Sequence, residues 1–300
     1  MSDAAPTPAP TAEPTAEPNP EELLQALRDA GCVFAEQEAR LLLAEFTGPA
    51  LGIAVRRRVG GEPLEHVLGW ARFGGLRITV RAPVFIPRSR AEPLARAAVA
   101  EVASRPTGAV VLDLGCGSGA IAATVAAAAG TDCEVWASDL GAPAVSCARV
   151  NAAVYGFRVV RGDWFSGLPD ALVGRLDVVV AYLPHVPDHR LADVPADYRA
   201  AEDEVSVRGG PDGLDAVRTV LATLDHWLAP AGVLLTLVAR EQLDPARTLL
   251  REAGWSSALV AVPSVSGAFD GHGSEPGWDD DPVPDSPVLA IRRTARGSPV

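Results

Sequence analysis

Residues 110–119, VVLDLGCGSG, run an apolar strand straight into three glycines, and a small-residue helical stretch follows at Ala120-Ile121-Ala122-Ala123. Glycine at Gly115, Gly117 and Gly119 lets the chain turn sharply and leaves bare backbone for a ligand. Amides at the start of the next helix then face that space. The unit heads a repeating pattern. Apolar runs at 109–114, 134–138, 157–161, 176–181, 232–238, 257–262 and 287–293 read as strands. The stretches 90–104, 118–130, 142–155, 213–228 and 243–253 read as helices between them. Such alternation predicts an α/β fold with a parallel sheet covered on both faces. The connection before the last strand is too polar to be a crossover helix, so that strand is expected to return antiparallel.

Three acids close three successive strands. Asp113 precedes the glycines, Asp139 ends the next strand in SDL with Leu140 after it, and Asp163 follows the third in GDWF. An acid at the end of the second strand can bind both hydroxyls of a ribose. Asp163 is placed to meet an adenine amino group, with Trp164 or Phe165 beside the ring. The glycine spacing is one residue shorter than the dinucleotide fingerprint GxGxxG. Three acids suit a nucleoside that carries a cation and no phosphate. S-adenosylmethionine (SAM) has that chemistry, and the loop residues Gly115, Cys116, Gly117 and Gly119 would cradle it.

The bulk numbers set limits. Residues 1–19 are Ala, Pro, Thr and Glu, a disordered tail by composition. Residues 20–60 form a small helical domain, opened by Pro20-Glu21-Glu22, with a second helical run around Ala35–Phe46. Residues 61–83 carry a hairpin linker, and 84–294 the catalytic domain. Within it, 266–286 is an acidic loop insertion that holds Trp278. The net charge of −12 is concentrated. Residues 1–22 and 266–286 hold eleven acids and no Lys or Arg, so the remainder is close to −1. Beyond Arg56-Arg57-Arg58 there is no basic tract, so no nucleic-acid partner is expected. No apolar run reaches the ~20 residues of a membrane span. The four cysteines, Cys32, Cys116, Cys133 and Cys147, show no metal spacing and read as reduced thiols of a cytoplasmic protein. The chain contains no lysine, which excludes Schiff-base chemistry.

The string LDLGCGSG, then SD, then GDWF resembles the nucleotide half of class I SAM-dependent methyltransferases. That resemblance implies a seven-stranded sheet with its last strand antiparallel. PLEHVLGWARFGG (63–75), VFIPRSRAEPL (84–94) and GGPDGLDAVR (209–218) narrow it. Together they are similar to the HemK/PrmC-type protein-(glutamine-N5) methyltransferases over residues 62–293, about 230 residues. The order helical cap, hairpin, catalytic domain is shared.

The acceptor half departs from that family. Where it carries Asn-Pro-Pro-Tyr after the fourth strand, this chain has Tyr182-Leu183-Pro184-His185. The asparagine amide offers one donor and one acceptor to a planar substrate amide, which Tyr182 cannot match. His185 keeps a flat wall and adds a proton acceptor near neutral pH. The resemblance assigns catalytic positions to Tyr182, Pro184 and His185, and substrate contacts to Arg88, Glu92, Tyr182 and His185. The threonine of the family's IPR-x-x-T-E stretch is Ala91 here, and Glu202-Asp203-Glu204 lacks the family's proline. The sequence thus implies a methyltransferase with a changed protein or small-molecule acceptor. A non-catalytic SAM- or partner-binding paralogue and a true glutamine methyltransferase are the alternatives. Oligomeric state is left open.

Overall fold

The computed structural model describes residues 19–106, 108–194, 203–261 and 287–294. The composition-based tail and the acidic 266–286 insertion with Trp278 lie outside these residues, apart from Asn19. The chain divides into two compact units, Met1–Leu68 and Gly69–Val300.

The first unit is helical. Asn19 caps helix α1 (Pro20–Asp29): its side chain accepts the Glu22 N–H at 2.9 Å, and the Glu22 carboxylate accepts the Asn19 N–H. This is a capping box with proline at the first helical position. Helix α2 spans Ala35–Glu45. Two further helices, α3 (Gly48–Val59) and α4 (Leu64–Leu68), were not foreseen from the sequence. The Gly48-Pro49 start masks α3, although Pro suits a first turn. Leu23, Leu27, Leu42 and Leu51 form its interior. Arg58 pairs with the largely buried Glu38 at 2.6 Å.

The second unit opens with hairpin strands β1 (Trp70–Phe73) and β2 (Leu76–Thr79). Gly74 and Gly75 form the turn, with φ of 56° and 77°. A two-residue hairpin turn with both φ positive admits glycine most readily. The hairpin packs on the rest of this unit through Phe73 and Ile78 in the apolar core and through Asn151, which is 1% exposed. Its amide accepts the Thr79 N–H and donates to the Thr79 and Ser118 carbonyls at 2.8–2.9 Å.

Helix α5 (Glu92–Ala103) leads into β3 (Ala109–Leu114), α6 (Ala120–Ala129), β4 (Cys133–Asp139), α7 (Ala142–Tyr155), β5 (Arg158–Arg161) and β6 (Leu176–Ala181). After these come α8 (Asp215–Trp227), β7 (Leu228–Leu237), α9 (Leu243–Glu252), β8 (Trp255–Leu259) and β9 (Val288–Arg293). The seven-stranded sheet has the order β5-β4-β3-β6-β7-β9-β8. Strands β3 to β7 are parallel, and β9 runs antiparallel to both β7 and β8, as the sequence predicts. Successive strand residues serve opposite faces. Val111, Val178 and Leu235 pack with Leu94 and Ala122 on one side. Leu112, Val179 and Leu234 pack with Leu221 and Leu224 on the other.

Among the described residues, no helix is long and apolar enough to cross a membrane. No group of three or more His, Cys, Asp or Glu among them could hold a metal ion.

Candidate active site

The carboxyl ends of β3, β4, β5 and β6 lie side by side, and the sequence-selected residues gather there. Gly115, Gly117 and Gly119 adopt φ of 72°, 53° and 79°. A Cβ on Gly115 or Gly117 would meet nothing within 4 Å, so open space borders the loop. Gly119 is required for packing instead, because a Cβ there would come within 2.9 Å of the Phe157 ring.

The loop amides turn inward. Gly115 and Cys116 both donate to the Ser138 carbonyl at 2.9 Å, and Gly117 donates to Asp139 Oδ2 at 2.8 Å. Gly141 N–H reaches Asp139 Oδ1 at 2.8 Å. The amides of Gly115, Cys116 and Gly117 are thus spent on the end of β4, and that of Gly117 fixes the Asp139 carboxylate. Each Asp139 oxygen keeps a second lone pair for an incoming donor. Cys116 contributes through its backbone, since its side chain is buried in the core and burial holds the thiol well above its ordinary pKa.

Asp113 is 1% exposed and accepts the Ala122 N–H at 2.9 Å, in the first turn of α6. Burial, opposed by that hydrogen bond and reinforced by the Asp139 charge, raises its carboxyl to about 7. Burial also raises Asp139, against backbone donors from Gly141, Gly117 and Leu140. Among the described residues no cationic side chain offsets either acid. Leu140 is 54% exposed beside them.

The GDWF segment folds back on itself. Cβ atoms on Gly162 or Gly167 would overlap backbone at 2.2–2.3 Å, a close crossing that only glycine allows. Asp163 is exposed, and Trp164 is half-buried with φ of 50°. Its carbonyl accepts the Ser138 hydroxyl at 3.2 Å. Phe165, expected beside the ligand ring, is instead a core residue, 3% exposed and stacked on Trp227 at 5.7 Å. Its apolar ring takes the inward-facing position of the pair.

Beyond β6 the rings assemble. Tyr182 lies 5.5 Å from His185 and meets Phe85 edge-on at 6.0 Å between centroids. The Arg88 guanidinium sits over Phe85 at 4.9 Å. The neutral His185 ring donates from Nδ1 to the Leu183 carbonyl at 3.0 Å, because that oxygen can only accept. Nε2 then keeps its lone pair. Burial, with help from the Arg90 charge, lowers the His185 pKa, so the ring is neutral at pH 7. Half-buried Pro184 lies between Leu183, which is in the core, and His185.

Two groups missed in the sequence hold this loop. Buried Gln242 donates to the His185 carbonyl at 2.8 Å and to that of Asp212 at 3.1 Å. Gly209 N–H donates to the Val186 carbonyl at 2.8 Å, which docks segment 209–213 against 185–188. Glu92, expected at the substrate, contacts the hairpin and its own helix in this structure. It accepts the Gly74 N–H at 3.0 Å and meets Arg96 at 3.3 Å, because the first turn of α5 faces the hairpin tip.

A seven-stranded sheet of this order, reversed at β9 and bearing a buried acid before its glycine turn, has the architecture of a class I SAM-dependent methyltransferase. A methyltransferase domain model matches residues 111–201. The release factor glutamine methyltransferase of Gloeobacter violaceus is 38% identical over 184 residues, 60% of this chain and 63% of that one. That of Neisseria gonorrhoeae is 35% identical over 215 residues, covering 71% and 76%. The 4-amino-L-phenylalanine/4-methylamino-L-phenylalanine methyltransferase of Streptomyces pristinaespiralis is 32% identical over 232 residues, covering 76% and 78%. The chain belongs to the release factor glutamine methyltransferase family.

Proposed function

We propose that this protein transfers a methyl group from SAM to a planar, aromatic-flanked acceptor, and not to a glutamine carboxamide. The observation that carries the cofactor reading is the pair Asp113 and Asp139. Two acids lie at adjacent strand ends, raised by burial and fixed by backbone N–H donors, with no cation among the described residues offsetting them. A cationic nucleoside supplies the missing charge and hydroxyl donors. The open space beside Gly115 and Gly117 admits it, and inward-turned amides leave no cradle for a pyrophosphate.

When bound, SAM supplies a methyl group on a cationic sulfur that departs as a neutral thioether. In this reading Asp139 accepts the ribose hydroxyls, Leu140 and Trp164 flank the adenine, and Asp163 accepts its amino group. Asp113 faces the positive end of the ligand.

On the acceptor side, Tyr182 and Phe85 bound a flat group, with Pro184 beside them. His185 Nε2 is a neutral acceptor for the proton of an N–H or O–H nucleophile. Orientation supplies much of the acceleration in a displacement of this kind. A tyrosine where the family has asparagine removes the paired donor and acceptor that read a carboxamide. The Streptomyces relative, named for an aryl-amine amino acid, supports an aromatic acceptor within the same family.

Calorimetric titration with SAM and with S-adenosylhomocysteine tests the cofactor half. The wild type is expected to bind at micromolar Kd, and Asp139→Ala to bind about 100-fold more weakly, the loss of two charge-assisted hydrogen bonds. Absence of binding to either ligand would overturn the reading and leave a partner-binding scaffold.

A further inference from the structure

The turn Ser89–Ala91 holds Arg90, and Arg88 precedes it as its N-cap; the transfer chemistry uses neither arginine. It joins Phe85 of the acceptor cluster to the start of α5, and it closes with the Ala91 N–H donating to the Arg88 carbonyl at 2.9 Å. Arg88 has an extended backbone, whereas Arg90 lies within the turn, so the two residues sit in different local conformations. Arg88 is laid over Phe85 at 4.9 Å. Arg90 is half-buried and close enough for its charge to oppose protonation of His185. Among the described residues Arg90 makes no hydrogen bond or ion pair, whereas Arg96, one turn into α5, is paired with Glu92.

A half-buried guanidinium without a partner is costly to keep. The other charge reaching His185 is Glu241, and that carboxylate pairs with Arg190 at 2.6 Å. Among the described residues Arg90 is thus an unpaired cation whose charge reaches His185 of the Phe85–Tyr182–His185 cluster. The planar fork of a guanidinium matches a carboxylate with two parallel hydrogen bonds.

We propose that Arg90 is a specificity residue that binds a carboxylate on the methyl acceptor, so the substrate class is a small aromatic acid bearing an N–H or O–H nucleophile. The ring lies against Phe85 and Tyr182, the nucleophile faces His185, and the carboxylate is anchored at Arg90. The inference rests on the methyltransferase reading above and adds to it the charge of the acceptor.

The test uses a matched pair of probes, 4-aminophenylacetate and 4-methylaniline, titrated into full-length protein saturated with S-adenosylhomocysteine. The wild type is expected to prefer the acid by about tenfold or more, the scale of one charge-assisted contact. Arg90→Gln should erase that preference, and Arg90→Lys should retain part of it, with thermal melting confirming that both variants fold. Equal binding of the two probes, or binding of neither, overturns the inference, as does an undiminished preference in Arg90→Gln. Tighter binding of an acidic glutamine-containing peptide than of the aromatic acid overturns it in favour of a protein acceptor. Saturation with S-adenosylhomocysteine is verified first, so failure of the cofactor reading is seen separately from failure of this one.

Discussion

Asp113 shows how a single side chain can set stability against function. An ionised carboxylate in the interior is penalised, and here burial moves the group from 3.8 to about 7. A folded-state pKa above the unfolded one means the folded chain binds more protons between these values. Stability from this group therefore falls as pH rises from about 4 to 7, and the full cost persists above 7. Asp113→Asn keeps an acceptor for the Ala122 N–H and removes the charge. The ligand-free variant should melt higher than wild type at pH 8, by an amount equivalent to at most about 4 kcal/mol at 1.36 kcal/mol per pKa unit. The advantage should vanish near pH 4. A melting series from pH 4 to 8 checks this, and a constant offset across the range would refute the assignment. Asp113 was legible in the sequence as a motif acid. Its ionisation was not, because burial arises from α6 and β4 closing over it.

At the scale of elements, the acceptor loop after β6 is held from a distance. Gln242, at the start of α9, is 57 residues from His185 in sequence, and no local pattern announces such a contact. The strand ends, by contrast, were readable because apolar runs stop abruptly at Asp, Gly or Tyr. The contacts of Glu92 and Phe165 were not readable for a related reason: a residue's motif position names its neighbourhood, while its direction depends on the helix turn or loop crossing that carries it. The clamp makes a sharp contrast among substitutions. Gly213→Ala places a Cβ 2.0 Å from Gln242 Nε2 and 2.4 Å from the His185 carbonyl oxygen, at φ of 79°. Gln242→Ala removes the donor that the His185 and Asp212 carbonyls share. Each variant should lose about 3 kcal/mol in urea denaturation. Both should keep S-adenosylhomocysteine affinity within about threefold, since the clamp lies on the acceptor side. Gly115→Ala should show the reverse pattern. Its Cβ meets open space, so its stability cost is only the ~1–2 kcal/mol of a left-handed backbone, while the ligand loses the room it needs.

For the whole molecule, the alternation of strands and helices was enough to predict seven strands and a reversed final one. The position of β9 between β7 and β8 was not, because it depends on pairing across a polar connection. The hairpin packs within the Gly69–Val300 unit through Phe73 and Ile78, whose alternation was readable, and through Asn151, a polar contact that no apolar pattern announces. All the site residues named lie in that unit, so ligand binding is linked to its unfolding. Ligand at 100 times Kd contributes about 2.7 kcal/mol. That amounts to a rise in Tm of roughly 5–10 °C for a unit of this size. The proton balance adds a sign. Below about pH 7 the free protein holds a proton on Asp113 that a cationic ligand must expel. The Tm shift given by SAM at fixed concentration should therefore grow from pH 6 to 7.5 and then level off. S-adenosylhomocysteine, whose sulfur is neutral, should show a shallower slope, and Asp113→Asn should flatten both. Calorimetric scans at matched ligand concentration read all three. Equal slopes for the two ligands in wild type would place the sulfonium charge away from Asp113 and return the cationic preference of the site to Asp139 alone.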